Sequence, residues 1–238
     1  MLTNTSRMAA LALACAAAFG FSMQASAGVR HAHGSHTSNG ETTRWHGTRI
    51  TGDNGGQIGR GEKTVRDPAD GTVTRTRGTK ATGPNGSEIK HGASTTRGPD
   101  GTVTHEGGTS VTGKNGGTAE SKNTYTKNAD GSSEFTRNTE VTTAKGTTIN
   151  QTGDWTKSAD GTRSGSSQTT VNGANGGTAT KSTTSANGTV TRDTDLTTKN
   201  GATYNGTTTY TKGQGVTHTG TCTDAQGNTV TCPQPKQH

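Results

Sequence analysis

Large apolar side chains are scarce in this sequence. Only 23% of its 238 residues are hydrophobic, and 3% are aromatic. Folding costs about 1 to 2 kcal/mol of backbone entropy per residue. A chain with so few apolar side chains cannot bury enough apolar area in a conventional core to offset that cost. The shortage excludes a globular domain built around a thick apolar interior.

Long hydrophobic runs are absent after residue 27. The one earlier run, Met8–Phe21, follows Arg7 and precedes Ala25-Ser26-Ala27, the small-x-small pattern that signal peptidase recognises. It is shorter than the roughly 20 residues that span a bilayer. We interpret residues 1–27 as a secretory signal peptide and expect an exported protein that is secreted, held at the cell surface or periplasmic. The mature chain would carry a net charge of +6, because the +7 of the whole sequence includes Arg7.

Cysteine is rare, with three in the sequence, and only Cys222 and Cys232 lie beyond the predicted signal peptide. In an oxidising compartment these two are expected to form a disulfide. Closing a loop of about ten residues, the bond would contribute about 2 to 3 kcal/mol and hold the last hairpin together. The spacing is not C-x-x-C, which argues against redox catalysis.

Motifs of catalysis are missing as well. The sequence contains no G-x-S-x-G, H-E-x-x-H or Walker pattern, and its acidic residues are scattered. We therefore expect no enzymatic activity and no cofactor.

Threonine and glycine are abundant, with 53 and 37 residues. Threonine is β-branched and favours strands without needing a core. The glycines include a series spaced 15 residues apart, each preceded by Asp, Asn or Lys: Gly71, Gly86, Gly101, Gly116, Gly131, Gly146, Gly161 and Gly176. Segments such as Pro99-Asp100-Gly101 are typical of a type I turn with a left-handed glycine, which joins two antiparallel strands.

A repeat of this kind fits either a solenoid or an antiparallel meander. A solenoid stacks residues 15 apart, yet Val73, Glu88, Val103 and Thr118 would then share one column. We therefore predict an all-β fold, a long antiparallel up-and-down meander of about 13 or 14 strands, in an open or curled single sheet. The meander is expected over 42–232, after a flexible His/Gly/Ser-rich segment at 28–41 and before a C-terminal tail at 233–238.

The bulged turns also predict which side chains share a face. Such a turn pairs residues whose numbers sum to an even value, such as Gly98 with Thr102, so odd-numbered residues share one face. One resulting row is apolar at every strand: Ala81, Ile89, Val111, Ala119, Val141, Ile149, Val171 and Ala179. A second row contains Arg75, Thr95, His105, Tyr125, Phe135 and Trp155.

Residue parity is expected to change near both ends. The loop at 67–71 holds one extra residue, which moves the apolar side chains of the preceding strands to even positions. Beyond 188 the apolar residues are again even, and we expect a bulge or twist near 182–190 to restore one continuous face.

Basic side chains accompany the apolar and aromatic residues on the odd face. Cations attract anionic polymers, and aromatic rings stack on sugars or bases. The candidate polymer-binding residues are Arg75, Arg77, Arg97, Tyr125, Lys127, Phe135, Arg137, Trp155, Lys157 and Arg163. The same face would also suit the concave side of a curled sheet, with the long basic stems reaching to water.

These patterns predict a non-enzymatic exported structural or adhesive protein. Its partners would be anionic polysaccharide, lipopolysaccharide or extracellular DNA. The alternative is a self-assembling extracellular matrix or amyloid-like fibre protein, in which sheet edges of different copies pair. A weaker hypothesis assigns metal binding to His31, His33 and His36. A flexible polar segment is the favoured explanation, because no acidic or Cys ligand at fixed spacing accompanies these histidines.

Overall fold

A computed structural model describes residues 28–232 of the chain. They form an all-β antiparallel meander of 15 strands, within two compact units that meet in sequence at Gly131 and Ser132. Among these residues we find no helix that could span a bilayer. The predicted signal peptide at 1–27 and the predicted tail at 233–238 lie outside the described residues.

Unit 1 contains seven strands, each antiparallel to the next: β1 (Gly28–Ser38), β2 (Glu41–Thr51), β3 (Gln57–Asp67), β4 (Thr72–Thr82), β5 (Glu88–Arg97), β6 (Val103–Thr112) and β7 (Thr118–Lys127). Among the described residues β1 pairs only with β2, so it is an edge strand.

Unit 2 contains eight strands in the same arrangement: β8 (Ser133–Thr142), β9 (Thr148–Lys157), β10 (Arg163–Asn172), β11 (Thr178–Ala186), β12 (Thr189–Thr197), β13 (Thr203–Thr211), β14 (Gly215–Thr223) and β15 (Thr229–Val230). The last strand is two residues long. The predicted disulfide is present beside it, joining Cys222 to Cys232 with 5.3 Å between their Cα atoms.

The repeated glycines form the predicted bulged turns. At 98–102 the Gly101 amide donates to the Gly98 carbonyl at 3.2 Å, and the Gly98 amide donates to the Thr102 carbonyl at 2.9 Å. Gly101 has a φ of 86°, a left-handed conformation that favours glycine. The Thr102 amide and hydroxyl both donate to the Asp100 carboxylate, and these bonds lower the pKa of Asp100. The eight glycines of the 15-residue series all have positive φ.

The N-terminal segment differs from expectation. Residues 28–38 form β1, paired along its whole length with β2, from Gly28 opposite Thr51 to Ser38 opposite Glu41. The flexible segment predicted at 28–41 is therefore wrong, and this strand raises the count to 15. Its Gly, Ser and His composition gives little sign of a strand. Backbone pairing with β2 keeps this segment in an extended strand, although its side chains have little strand propensity.

Three connections reverse residue parity. The loop between Asp67 and Thr72 does so as predicted, because four residues separate this pair. The second reversal lies between β11 and β12, where a bulge or twist near 182–190 was predicted; that prediction is wrong. A two-residue Asn187-Gly188 turn, with φ of 52° and 78°, joins Ala186 to Thr189. Asn39-Gly40 forms the same kind of turn between β1 and β2.

These connections place one apolar position on every strand opposite the next. In unit 1 the row contains Val29, Ile50, Ile58, Ala81, Ile89, Val111 and Ala119. In unit 2 it contains Val141, Ile149, Val171, Ala179, Leu196, Tyr204, Cys222 and Val230. Each unit thus confirms its part of the predicted apolar row and extends it.

Neither unit has a thick core. The buried side chains among the described residues are small, namely Thr76, Ala93 and Cys222, whereas Ile89 in the apolar row is 50% exposed. Threonine ladders reinforce the backbone pairing: the hydroxyls of Thr74 and Thr96 lie 3.1 Å apart. The fold is therefore held mainly by strand pairing and cross-strand contacts, and both faces of each sheet meet water.

Candidate functional site

Paired residues on antiparallel strands point to the same side of the sheet, so the apolar row marks one side in each unit. We call this side the basic face; it carries Ile89 in unit 1 and Ile149 in unit 2. The opposite side, which carries Thr74 and Thr152, is the threonine face.

The basic face of unit 1 is strongly cationic. Its seven Lys and Arg side chains are Arg44, Arg60, Arg66, Arg75, Arg77, Arg97 and Lys127. Glu62 is the acidic strand residue on this face among the residues described. The register therefore gathers cations from β2 to β7 onto one surface.

Glu62 neutralises part of that charge locally. Arg75 donates to the Glu62 carboxylate at 2.8 Å, and this hydrogen bond is the main reason that the pKa of Glu62 is lowered. Arg75 is one of the predicted polymer-binding residues, and its ion pair with Glu62 was not part of that prediction. Arg77 and Arg97, on the same face, are exposed to solvent.

Two arginines flank a cleft on the basic face of unit 1. The cleft has a volume of about 180 Å³ and is lined by Thr42, Arg44, Thr64 and Arg66. Thr42 lies opposite Arg66, and Arg44 lies opposite Thr64, so the two guanidinium groups occupy diagonal positions. Planar guanidinium groups bind carboxylate, sulfate-like and phosphate oxygens through paired N–H donors.

Histidines are also concentrated on this face. The five on the basic face of unit 1 are His31, His33, His46, His91 and His105. His36 lies on the threonine face, because alternate residues of β1 point to opposite sides. The structure therefore does not bring together His31, His33 and His36, the three residues of the metal hypothesis. Within residues 28–232, no group of three or more His, Cys, Asp or Glu residues is placed to hold a metal ion.

The basic face of unit 2 combines cations with aromatic rings. Its Lys and Arg side chains are Arg137, Lys157, Arg163, Lys181 and Arg192. Phe135 pairs with Trp155, and their ring centroids lie 5.6 Å apart at an angle of 38°. Along the strands this aromatic pair has Arg137 on one side and the Lys157–Arg163 pair on the other.

The Trp155 ring lies over two glycines. A methyl group on Gly165 would lie 2.3 Å from Trp155 Cδ1, and one on Gly153 would lie 2.3 Å from Cη2. The indole therefore covers backbone that carries no side chain, at Gly153 on its own strand and at Gly165 on β10, and 40% of Trp155 stays exposed. An open indole of this kind is a surface on which a sugar ring or a base can stack.

Tyr125 completes the predicted site residues. It lies opposite His105 on the basic face of unit 1 and is 38% exposed. Trp45, which sequence reasoning left out, lies on the threonine face, opposite Gly34 and Lys63.

The threonine face of unit 1 has a different charge arrangement. Glu88 forms ion pairs with Lys80 and Lys90, which lower its pKa through their hydrogen bonds. Glu120 pairs with Lys122 at 2.7 Å. Three lysines on this face, Lys80, Lys90 and Lys122, therefore have acidic partners, whereas Arg75 is the cation in an ion pair on the basic face of the described residues.

All ten predicted polymer-binding residues lie on a basic face, five in each unit. Sequence reasoning left out Arg44, Arg60, Arg66 and Arg192, which join them. These four residues have even numbers. They lie on the basic face because a turn that reverses parity separates their strands from those in which odd-numbered residues occupy that face.

The chain matches no protein-family model, and no curated protein or solved structure matches it either.

Proposed function

We propose that this chain is a non-enzymatic, exported structural or adhesive protein whose basic faces bind anionic polymers. The polymer classes are acidic polysaccharide, lipopolysaccharide and extracellular DNA. The observation that carries the proposal is the one-sided charge. Seven cations and one acidic residue share the basic face of unit 1, and five cations share that of unit 2.

A flat array of exposed cations suits a polymer better than a small ligand. Each contact between an exposed cation and an anion is weak, about 0.2 to 1 kcal/mol, so useful affinity requires many contacts along one chain. A strand of ten residues is about 34 Å long, so one face can contact several repeating units of a polymer. The exposed Trp155 and Tyr125 rings add stacking surfaces among the cations.

We expect neutralisation of the basic face to weaken polymer binding. In Arg77→Gln/Arg97→Gln/Lys127→Gln, affinity for heparin should fall about tenfold, since three exposed ionic contacts are lost. The dependence of affinity on salt should also become shallower, because fewer counterions are released on binding. Isothermal titration calorimetry from about 50 mM to about 200 mM salt measures both quantities.

The matched control changes the same net charge on the other face. Lys63, Lys90 and Lys122 all lie on the threonine face of unit 1. Their triple glutamine variant should keep nearly all of the affinity for heparin. Equal losses in the two triple variants would show that net charge, and not the basic face, governs binding, and would remove the proposal.

A further inference from the structure

The strands of unit 2 separate their charges completely between the two faces. The basic strand residues Arg137, Lys157, Arg163, Lys181 and Arg192 all lie on the basic face. The acidic strand residues Glu134, Glu140, Asp154, Asp193 and Asp195 all lie on the threonine face. In the described strands of this unit, neither face carries a charge of the other sign.

This separation prevents the charges of unit 2 from pairing within the sheet, because opposite charges point to opposite sides. The ion pairs found among residues 28–232 all lie in unit 1, at Glu62, Glu88 and Glu120. In unit 2 the donors to these acidic strand residues are neutral: the hydroxyls of Ser166 and Thr207 donate to Asp154 and Asp193, and the side-chain amide of Asn138 donates to Glu140. The charges on each face of unit 2 are therefore not neutralised by strand residues of the same face.

The faces of unit 2 are also large enough for a stable contact. The seven strands β8–β14, each of nine or ten residues, form a face about 34 Å by about 34 Å at standard strand spacing. Covering it would bury about 1,100 Å² on each partner, which exceeds the roughly 800 Å² per partner of a standard interface. No second layer covers either face among the described residues, where the buried side chains are few and small.

We propose that unit 2 stacks on unit 2 of a second copy of this chain, with the basic face of one copy against the threonine face of the next. Five cations then meet five carboxylates across the contact. Identical sheets have the same twist and can lie face to face about 10 Å apart. The threonine face offers short side chains over which the bulkier Phe135 and Trp155 can pack.

This contact is heterologous and leaves one basic face and one threonine face free at the ends of every stack. Growth is therefore open-ended and does not stop at a dimer. The arrangement differs from pairing between sheet edges, since it uses side chains and not backbone hydrogen bonds. It is independent of polymer binding, although a polymer on the basic face would compete with it.

Charge reversal on one face at a time tests the stack. The basic-face variant carries Arg137→Glu, Lys157→Glu and Arg163→Glu. The threonine-face variant carries Glu134→Lys, Glu140→Lys and Asp154→Lys. All six positions are exposed on β8–β10, and circular dichroism checks that both variants fold. Sedimentation velocity of the mature chain at low salt measures association over a concentration series.

We expect the unaltered chain to form species whose mass rises with concentration and falls with added salt. Each single-face variant should associate at least tenfold more weakly, because both of its faces then carry the same sign. An equimolar mixture of the two variants should associate again, since the reversed basic face of one complements the reversed threonine face of the other. A chain with all six substitutions should also recover association.

Three results would overturn the stack. The first is an unaltered chain that stays monomeric at low salt. The second is a mixture of the variants that does not associate. The third is association that neither reversal weakens, which would indicate edge pairing. Heparin binding separates this proposal from the polymer proposal, because the threonine-face variant keeps every cation of the basic face and should bind heparin at least as tightly as the unaltered chain, whether or not it stacks.

Discussion

Thr169→Pro is expected to lower the free energy of unfolding by about 3 kcal/mol, because it leaves a paired carbonyl without its donor and places a poor strand former inside a sheet. Thr169 lies in the middle of β10, opposite Gln151 on β9 and Lys181 on β11. Because a strand pairs on both sides there, proline removes a ladder hydrogen bond whichever neighbour its nitrogen faces. With no thick core, unit 2 has little other interaction to offset that loss.

Urea unfolding of the full mature chain, followed by circular dichroism, measures this effect. Thr169→Ala is the matched control, because it removes the same side chain but keeps the N–H group. It should cost no more than about 1 kcal/mol, the span of strand propensities. If proline and alanine at this position proved equally mild, Thr169 would not lie inside a sheet.

Removing the disulfide is expected to have the next largest effect. The Cys222→Ser/Cys232→Ser variant should lose about 2 to 3 kcal/mol, because the bond closes a loop of ten residues in the unfolded chain. The loss should concentrate at the end of unit 2, where β15 has only two residues and Cys222 is 6% exposed in the apolar row.

Hydrogen exchange locates that loss. Amides of β14 should exchange faster in the double serine variant, while amides of β5 in unit 1 should keep their rates. The unaltered chain in reducing buffer provides a second comparison without any substitution. Unchanged protection of β14 in both cases would contradict a stabilising role for the bond.

The sequence allowed most of the fold to be predicted because one local signal repeats. Glycines such as Gly101 and Gly161 adopt the left-handed conformation that a bulged turn needs, and this turn determines the register of the strands it joins. Ile89 could therefore be placed opposite Val111 from their numbers alone, and the pairing is confirmed. Local turn chemistry was sufficient because the strands pair in chain order.

Two predictions about the fold were wrong, the flexible segment at 28–41 and the bulge near 182–190, and both concern strands joined by a two-residue Asn-Gly turn. The Gly, Ser and His composition of β1 does not indicate a strand, and the Asn39-Gly40 turn that joins it to β2 was missed. The Asn187-Gly188 turn was read as part of a distorted strand, although Asn-Gly is the strongest short hairpin signal. The turn reverses parity and places the even residues of β12, Arg192 among them, on the basic face.

The candidate site depends on the same geometry. The sides of Arg97 and Trp155 follow from parity between residues 72 and 181, where every turn is bulged. The Arg75–Glu62 pair was not predicted, because it joins diagonal positions: the residue directly opposite Glu62 is Arg77. The three histidines of the metal hypothesis were grouped from their spacing in the sequence, and alternation within β1 places His36 on the face opposite His33.

Cysteine cross-linking in unit 1 tests most directly whether the bulged turns assign each side chain to a face. Ile89 lies opposite Val111, and Ser110 is the next residue along the same strand but points to the other side. Paired Cα atoms in antiparallel strands lie about 4.5 to 5.5 Å apart, within the range that a disulfide spans. The Ile89→Cys/Val111→Cys variant should therefore form a bond in the folded chain, as peptide mapping would detect, while Ile89→Cys/Ser110→Cys should not. Cross-linking of the second pair with equal yield, or none in the first, would contradict the two-faced sheet.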